Sequence, residues 1–382
     1  MSNIAVELKG QDRNWLAKLR DLNWFVVALI TAIVGIGLAM LYSVAGGSFE
    51  PWASRQFMRF ATGFVVMIIA ALINLRWWMA VAYPLYFVTL ALLVAVEVAG
   101  EIGMGAQRWL DLGPIRLQPS EIMKTALVLV LARYYHGLTS HDVTRAKSLI
   151  LPVILILLPS ALVMKQPDLG TALLLMAGGF GIMFLAGARM WFFLAGAGGA
   201  LALIPVAWGL LHDYQRARVL TFLDPERDPL GTGYHIIQSK IALGSGGIYG
   251  KGYMQGTQAQ LNFLPEKQTD FIFTMLGEEL GLVGTLTVLT LYVILIGYIM
   301  LSSLSLKSHF GRLLTAGLAF IFFIYVFINM AMVMGLVPVV GVPLPLVSYG
   351  GSAMLTLMMG FGLILSALLH RNTIIARGGP FA

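Results

Sequence analysis

Long apolar runs alternate with short polar segments along almost the whole chain. A bilayer core about 30 Å thick needs roughly 20 apolar residues in a helix that rises about 1.5 Å per residue. The pattern therefore predicts an all-α membrane protein, a polytopic bundle of ten transmembrane helices with a large loop between the seventh and eighth. The predicted spans are 24–44, 57–75, 78–99, 120–137, 148–164, 168–186, 188–211, 271–300, 313–337 and 350–370.

Basic residues set the predicted orientation of these spans. Lysines and arginines of the connecting segments collect on alternate sides, which is typical of cytoplasmic loops; they are Arg76, Arg133, Arg145, Lys147, Arg189, Lys307, Arg312, Arg371 and Arg377. Cytoplasmic tails at 1–23 and 372–382 would then flank a transmembrane domain over 24–371. The segments 45–56, 100–119, 212–270 and 338–349 would be extracytoplasmic. The first apolar run is too long for a signal peptide, so an uncleaved first helix is expected.

The composition agrees with a membrane protein. Apolar residues make up 58% of the 382 positions and charged residues only 11%, against about 25% charged in soluble domains. The net charge of +7 could indicate nucleic-acid binding, but basic cytoplasmic loops account for it and no nucleic-acid partner is expected. The chain has no cysteine, which excludes disulfides, thiolate metal sites and a cysteine nucleophile.

Polar residues gather in four clusters, all on the predicted outer side. Charges inside a span cost about 2.5–3.5 kcal/mol at the helix centre, so each one is a functional candidate. The first cluster, 107–124, contains Arg108 and ends with Glu121 and Lys124, which lie three residues apart at a helix start and share one face. They would form either an ion pair that lets both charges survive near lipid or part of a polar cavity.

The second and third clusters lie before and within the long loop. Asp168, in the short turn 165–171, would cap the next helix, contribute to a site, or do both. The loop 212–270 contains Arg216 and Arg218, a predicted amphipathic surface helix at Tyr234–Leu243, and the glycine-rich run 244–252. This run is not a P-loop, because the spacing fails by one residue and Gly252 stands where Ser or Thr is required.

The fourth cluster, 343–352, combines prolines and glycines at the mouth of the last span. It would be either irregular backbone that lines a cavity or an ordinary turn with small-residue packing. Familiar hydrolase motifs and metal-binding histidine spacings are absent from the sequence. Carboxylates and cations at the outer mouth of an apolar bundle suit an amphiphilic substrate, with its tail in the bilayer and an anionic head group at the surface.

Seven stretches of the sequence, in order over nearly all of residues 24–371, resemble the SEDS family of bacterial cell-wall glycosyltransferases. They are QRWLDLG, QPSE with Lys124 behind it, KQPDLGT, FLDPERDPLGTGYHIIQSKIALGSGG, GTQAQLNFLPEKQTDFIF, GEELGLVG and PLVSYGG. Within the family, the segment 339–343 and the long loop resemble the elongation type more than the division type.

The resemblance implies a peptidoglycan glycosyltransferase of the bacterial cytoplasmic (inner) membrane with an extracytoplasmic active site. Such enzymes join lipid II molecules by β-1,4 bonds, with inversion, and release undecaprenyl pyrophosphate during cell elongation. The implied partners are lipid II as donor and acceptor, membrane lipid, a class B penicillin-binding transpeptidase and components of the rod complex (elongasome). No organic cofactor is expected.

The resemblance also implies roles for individual residues. Asp270, in the TDFIF motif, matches the family's essential aspartate and is predicted to be the catalytic base; by itself, it could be a helix N-cap. Arg108, Glu121, Lys124 and Asp168 match cavity residues, with Arg108 and Lys124 expected to meet phosphate or sugar oxygens. Weaker candidates for a second pyrophosphate are Arg216, Arg218 and Lys267.

Two further expectations concern a metal and the alternative functions. Departure of a diphosphate benefits from a divalent cation such as Mg²⁺ or Mn²⁺, for which Asp270, Glu266 and Asp168 are candidate ligands, although the sequence shows no dedicated cage. A lipid II flippase would need polar residues through the midplane, whereas here they crowd the outer mouth. A non-catalytic scaffold for the transpeptidase would tolerate replacement of Asp270.

Overall fold

The computed structural model describes residues 14–103, 106–111, 116–210, 213–224, 232–261, 264, 266–377 and 379. Within them the chain is mostly helical. The helices are α1 (Trp15–Arg20), α2 (Trp24–Val44), α3 (Trp52–Leu72), α4 (Leu75–Ala99), α5 (Pro119–Gly137), α6 (Ser140–Val143), α7 (Lys147–Lys165), α8 (Leu169–Leu185), α9 (Met190–Leu210), α10 (Asp213–Leu223), α11 (Thr232–Ser245), α12 (Thr257–Gln260), α13 (Ile272–Leu304), α14 (His309–Val333) and α15 (Ser352–Leu369).

Seven helices of the described chain are long and apolar enough to cross a membrane: α2, α3, α4, α7, α13, α14 and α15. Two of the other predicted spans correspond to the apolar helices α8 and α9, and the remaining one to α5. Most boundaries lie within a few residues of the prediction, but α3 begins at Trp52 and not at 57. The first turns of α3 contain polar residues, so a search for apolar runs places the start of this helix too late.

A small antiparallel sheet corrects the all-α prediction. Its strands are β1 (Glu101–Gly103), β2 (Ala106–Asp111) and β3 (Arg116–Leu117), in the order β1-β2-β3. These strands lie in the predicted outer segment 100–119 and are too short to show a two-residue period. The sheet matters for the site because β2 carries Arg108.

The described parts of the long segment 212–270 form three helices. These are α10, α11 and α12, and α11 confirms the helix predicted at Tyr234–Leu243. This helix packs on protein along one side and is exposed along the other. On the packed side Ser239 is fully buried. Its Oγ lies 2.8 Å from Thr274 Oγ1 and donates to the Val333 carbonyl at 2.8 Å. Both contacts tie the loop to α13 and α14.

A kink in α13 receives the glycine-rich run. Gly281 has φ +65° and ψ −159° inside this helix, a conformation that glycine adopts readily and other residues do not. Leu282 N–H donates to the Gly247 carbonyl at 3.0 Å, and Val283 N–H to the Ile248 carbonyl at 3.1 Å. The prediction of one regular span over 271–300 missed this kink, because its cause lies in a contact with a distant segment.

Helix α14 lies at the centre of the bundle. In the most apolar 18-residue stretch of this helix, 72% of the residues are buried inside the protein, against 22% in the corresponding stretch of α13. It contacts α5, α8, α13 and α15, and only a narrow strip that includes Phe323 and Phe327 stays exposed. Side chains on α14 are therefore well placed to hold groups that neighbouring helices bring to one site.

Candidate active site

An open cavity, about 750 Å³ when the adjoining open space is included, lies between α5, α14, α15 and the segment 343–350, with Gln56 of α3 at its wall. Glu121 and Lys124 supply its charged groups, and most of the remaining lining is aliphatic or aromatic. An apolar chamber with a few convergent polar groups is typical of a small-molecule or lipid site. Since Glu121 and Lys124 stand in the first turns of α5, the polar end of the cavity lies at the start of that helix.

Glu121 and Lys124 form the ion pair that their spacing predicts. Lys124 Nζ lies 2.7 Å from Glu121 Oε2, and the two side chains are only 6% and 11% exposed. The ammonium also stands 4.2 Å from the centre of the Tyr325 ring of α14, within cation–π distance. Burial of both charges is costly unless they remain paired, so the pair and the aromatic ring fix the lysine in the cavity wall.

Asp168 caps the next helix, as one of the two sequence interpretations predicts, and it also lies beside Arg108. It caps α8, because its Oδ1 accepts from Thr171 N–H at 3.2 Å and its Oδ2 accepts from the Thr171 hydroxyl at 2.9 Å. Arg108 Nε lies 3.7 Å from Asp168 Oδ2, and Arg108 Nη2 donates to the Pro167 carbonyl at 2.6 Å. Asp168 is also near enough for its charge to act on Lys124, so the first two clusters form one charged group.

Asp270 lies in the turn that precedes α13 and does not cap that helix. Phe271 occupies the N-cap position, and no side chain caps the helix there. The Asp270 carbonyl accepts a hydrogen bond from Asn329 Nδ2 at 2.9 Å. Asp270 is half-buried, at the junction between the polar loop and an apolar helix. The N-cap interpretation of Asp270 is therefore wrong.

Two structural connections bring Asp270 toward the charged group. Asn329, which holds Asp270, is one turn along α14 from Tyr325, which contacts Lys124; that spacing is about 6 Å. On the other side, Gly170 of α8 packs against the segment 340–341, since a Cβ at Gly170 would lie 2.7 Å from the Val340 carbonyl oxygen. Gly341 lies beside Asp270, since a Cβ at Gly341 would lie 3.5 Å from Asp270 Oδ2. The backbone at 340–341 thus separates the start of α8 from the Asp270 carboxylate.

The remaining candidates have different surroundings. Lys267 is buried beside Trp52, with Nζ 6.0 Å from the indole ring, and burial lowers the pKa of this lysine below its usual 10.5. Arg216 donates to the Trp208 and Gly209 carbonyls at 3.0 and 2.8 Å. It therefore binds the end of α9, and no described contact joins it to the cavity. Arg218 lies on α10, but its side chain is outside the described residues.

The predicted metal ligands do not form a cage. Among the described residues, no three His, Cys, Asp or Glu side chains come together as a metal site would require. Glu266 Oε2 accepts from the Thr269 hydroxyl at 2.9 Å, and Asp168 is engaged by Thr171 and Arg108. The three candidate carboxylates therefore do not gather into one metal-binding group among the described residues, and the divalent cation stays a prediction.

Sequence reasoning missed three residues of the site. Asn329 and Tyr325 lie in the middle of an apolar run, and Gln56 stands at the start of α3. A polar amide inside a span was the available signal for Asn329, which is fully buried. Gln56 is also buried and lines the cavity. Tyr325 carried no such signal, because its partner Lys124 is 201 positions away in the chain.

The model of the FtsW, RodA and SpoVE proteins, described as "Cell cycle protein", matches residues 20–373. The chain belongs to the FtsW/RodA/SpoVE family. Its members include the peptidoglycan glycosyltransferase MrdB of Escherichia coli strain K12, which is 46% identical over 352 residues, covering 91% of this chain and 94% of the relative. The probable peptidoglycan glycosyltransferase FtsW of Trichlorobacter lovleyi is 37% identical and covers 91% of this chain and 93% of its own.

Solved structures of FtsW/RodA/SpoVE proteins have the same fold. A chain from a peptidoglycan synthase complex that coordinates polymerization and crosslinking has a TM-score of 0.81 and 33% identity, covering 92% of this chain and 98% of its own. The rod shape determining protein RodA of Thermus thermophilus has a TM-score of 0.70 and 29% identity, with the same coverage of both chains. Family membership and the seven apolar helices together indicate a multi-pass membrane protein.

Proposed function

We propose that this protein is a peptidoglycan glycosyltransferase of the elongation type, which polymerises lipid II into β-1,4-linked glycan strands. One observation carries the proposal: Glu121 and Lys124 stand at one end of an apolar cavity, with the Arg108–Asp168 pair near Lys124. The Asp270 carbonyl is bound by Asn329, which lies one helical turn along α14 from the Tyr325 ring that contacts Lys124. The charged end suits a diphosphate and sugars, and the apolar chamber suits the polyprenyl chain that carries them.

The reaction is the displacement of a diphosphate from an anomeric carbon by a sugar hydroxyl. Asp270 accepts the proton of the acceptor hydroxyl. At the same time the hydroxyl oxygen forms the new bond to the anomeric carbon, with inversion of configuration. The bond from the anomeric carbon to the diphosphate oxygen breaks, and the diphosphate leaves with the electron pair. Lys124 and Arg108 stabilise the negative charge that develops on it. Glu121, whose Oε2 lies 2.7 Å from Lys124 Nζ, keeps this lysine oriented.

The proposal includes a topology. Ten helices span the bacterial cytoplasmic membrane: α5, α8, α9 and the seven helices identified above as long and apolar enough to cross it. The cavity mouth faces the extracytoplasmic side. The starts of α5 and α13 and the end of α14 then lie at one membrane face, in agreement with the basic residues on the other. A class B penicillin-binding transpeptidase and further elongasome components are the proposed partners.

The distribution of polar groups argues against a lipid II flippase. A translocation path needs polar groups at the depth of the midplane, whereas the lining of this cavity beyond Glu121 and Lys124 is largely apolar, for example Leu318, Phe361 and Ile364. The substrate tail therefore stays in the chamber while the head group reacts at its mouth.

The test uses the purified full-length protein in liposomes that contain lipid II. The wild type and Asp270→Asn are compared for glycan strands on gels and for outward movement of a labelled lipid II. We expect glycan from the wild type alone and no transport by either protein. Transport without polymerisation would overturn the proposal in favour of a flippase, and equal polymerisation by both proteins would overturn the role of Asp270.

A further inference from the structure

Three consecutive carbonyls of the turn that carries Asp270 accept hydrogen bonds from outside the turn. The Gln268 carbonyl accepts from Tyr349 N–H at 2.9 Å. The Thr269 carbonyl accepts from the Ser348 hydroxyl at 2.6 Å, and the Asp270 carbonyl accepts from Asn329 Nδ2 at 2.9 Å. Two of the donors belong to the PLVSYGG stretch, and the third lies on α14.

The donors are themselves fixed. Ser348 Oγ accepts from Leu344 N–H at 2.7 Å, and its exposed fraction is 4%. Asn329 is fully buried, and its amide nitrogen also donates to the Val342 carbonyl at 2.7 Å. Because two carbonyls face this amide, only its NH₂ group satisfies both, which sets its orientation.

A further contact holds the PLVSYGG stretch to α3. Gln56 Nε2 donates to the Ser348 carbonyl at 3.0 Å, and Gln56 Oε1 accepts from Gly350 N–H at 3.3 Å. The turn is thus tied through Ser348 to the cavity wall, since Gln56, Ser348 and Gly350 all line the cavity.

Helix α13 alone does not fix the position of the aspartate. Asp270 precedes the N-cap Phe271, which makes no side-chain cap, so the helix starts after it. The external hydrogen bonds to three successive carbonyls supply the constraint that a cap would otherwise give. We infer that Ser348 and Asn329 are positioning residues that fix the turn carrying the Asp270 carboxylate; the inference rests on the proposed role of Asp270 as the base.

The expected effect is on the chemical step. A displacement of about 1 Å at a reacting group can cost on the order of 100-fold in rate, even when the substrate still binds. Ser348 and Asn329 bond to backbone carbonyls and not to the carboxylate. Their loss would therefore shift the base without removing it, and would lower kcat more than it changes KM.

The test compares Ser348→Ala with Ser348→Thr and with the matched control Ser366→Ala. Ser366 is also fully buried and also donates to a distant backbone carbonyl, that of Ile73 at 2.6 Å, but near the other end of α15. We measure kcat and KM for lipid II in liposomes and the unfolding temperature of each variant. Ser348→Ala should lose about 10- to 100-fold in kcat, with KM within about threefold of the wild type and an unfolding temperature like that of Ser366→Ala.

Ser348→Thr, which keeps the hydroxyl, should recover most of the kcat lost in Ser348→Ala. The inference is overturned if Ser348→Ala keeps the wild-type kcat, or if Ser348→Thr is no better than Ser348→Ala. It is also overturned if the loss of kcat comes with a larger fall in unfolding temperature than in Ser366→Ala and a raised KM, since that result indicates a general structural role.

Asp270→Asn is assayed in parallel to separate the two proposals. Full activity of Asp270→Asn refutes the base and, with it, the positioning of that base. An inactive Asp270→Asn together with a fully active Ser348→Ala refutes only the positioning role.

Discussion

The Glu121–Lys124 pair left two interpretations open at the residue level, and the structure allows an experiment that separates them. Both side chains are buried and lie 2.7 Å apart, as either a structural pair or a catalytic pair would. Their spacing of three on a helix predicted the contact. It did not predict the Tyr325 ring over the ammonium, because that ring comes from a distant helix.

Replacing Lys124 with Met should destabilise the protein by about 3–5 kcal/mol, since the Glu121 carboxylate then remains buried without its partner. The double variant Glu121→Gln/Lys124→Met removes both charges and should recover much of that stability. We expect both variants to be inactive in lipid II polymerisation. Thermal unfolding in detergent and glycan assays measure the two quantities, and a double variant with wild-type activity would make the pair purely structural.

Lys267 offers a pH-dependent prediction. Burial lowers the pKa of its ammonium below 10.5, so the lysine loses its positive charge at a lower pH than an exposed lysine does. If that charge assists a diphosphate, kcat/KM should fall on the alkaline side at a pH below 10.5. The ratio kcat/KM is the appropriate quantity, because it reports ionisations of the free enzyme.

Lys267→Arg is the matched variant for this prediction. Arginine stays charged throughout the accessible range, so the alkaline fall should move to higher pH or disappear in this variant. A rate profile from pH 6 to 10 in liposomes measures it. An identical alkaline limb in the wild type and Lys267→Arg would show that another group causes the fall.

At the level of elements, buried glutamates at the start of α13 hold the long loop in place. Glu278 is fully buried and accepts from Lys251 Nζ at 2.6 Å, the Thr257 hydroxyl at 2.8 Å and Gln258 N–H at 3.1 Å. Glu279 accepts from the Ser43 hydroxyl at 2.6 Å and Met254 N–H at 3.1 Å. The sequence showed two acidic residues in a span but not their partners, which come from distant segments.

Removing the Glu278 carboxylate should therefore release the loop around 251–258. In Glu278→Ala we expect a loss of about 3–5 kcal/mol, because Lys251 and two backbone N–H groups lose their acceptor in a buried setting. Hydrogen exchange and limited proteolysis of the loop measure the release. The control is Glu97→Gln, which breaks a pair whose lysine is 72% exposed; equal loop protection in Glu278→Ala would contradict the anchoring role.

The kink in α13 gives a second element-level prediction. A side chain at Gly281 would meet the Gly250 nitrogen, and its φ of +65° is unfavourable for alanine. Gly281→Ala should therefore destabilise the protein by more than about 1 kcal/mol. Gly297→Ala in the same helix, where a Cβ meets nothing within 4 Å, should be neutral or stabilising by about 0.5–1 kcal/mol.

Thermal unfolding of the two glycine variants checks this expectation. Equal unfolding temperatures would show that the kink is not required. The apolar runs predicted the positions of the helices to within a few residues, but no local pattern predicted this kink or the three short strands. Both features depend on contacts between segments that are far apart in the chain.

At the scale of the whole molecule, the cavity joins a charged end to an apolar chamber. The proposed substrate has the same two parts, an anionic head and a long hydrocarbon tail. The sequence predicted that the charged residues cluster, and the structure pairs Glu121 with Lys124 and Arg108 with Asp168; their common side of the membrane stays a prediction. The sequence could not predict the chamber itself, because its walls come from four helices that are separate in the chain, α3, α5, α14 and α15.

Narrowing the chamber should weaken binding of the substrate tail and leave binding of the head group unchanged. Ala353→Phe places a ring in the cavity wall and should raise KM for lipid II with its full-length tail by about 10-fold, which corresponds to about 1.4 kcal/mol. A short-tailed analogue should be much less affected in the same variant. An equal rise in KM for both substrates would show that the chamber does not hold the tail.

The central claim is that the Asp270 carboxylate removes the proton from the acceptor sugar. The most direct test is a single-turnover measurement of the first glycosidic bond, made with the wild type and Asp270→Asn in liposomes at matched occupancy by lipid II. The account predicts that bond formation slows by at least about 100-fold in Asp270→Asn while lipid II binding is unchanged. Bond formation at the wild-type rate in that variant would contradict it.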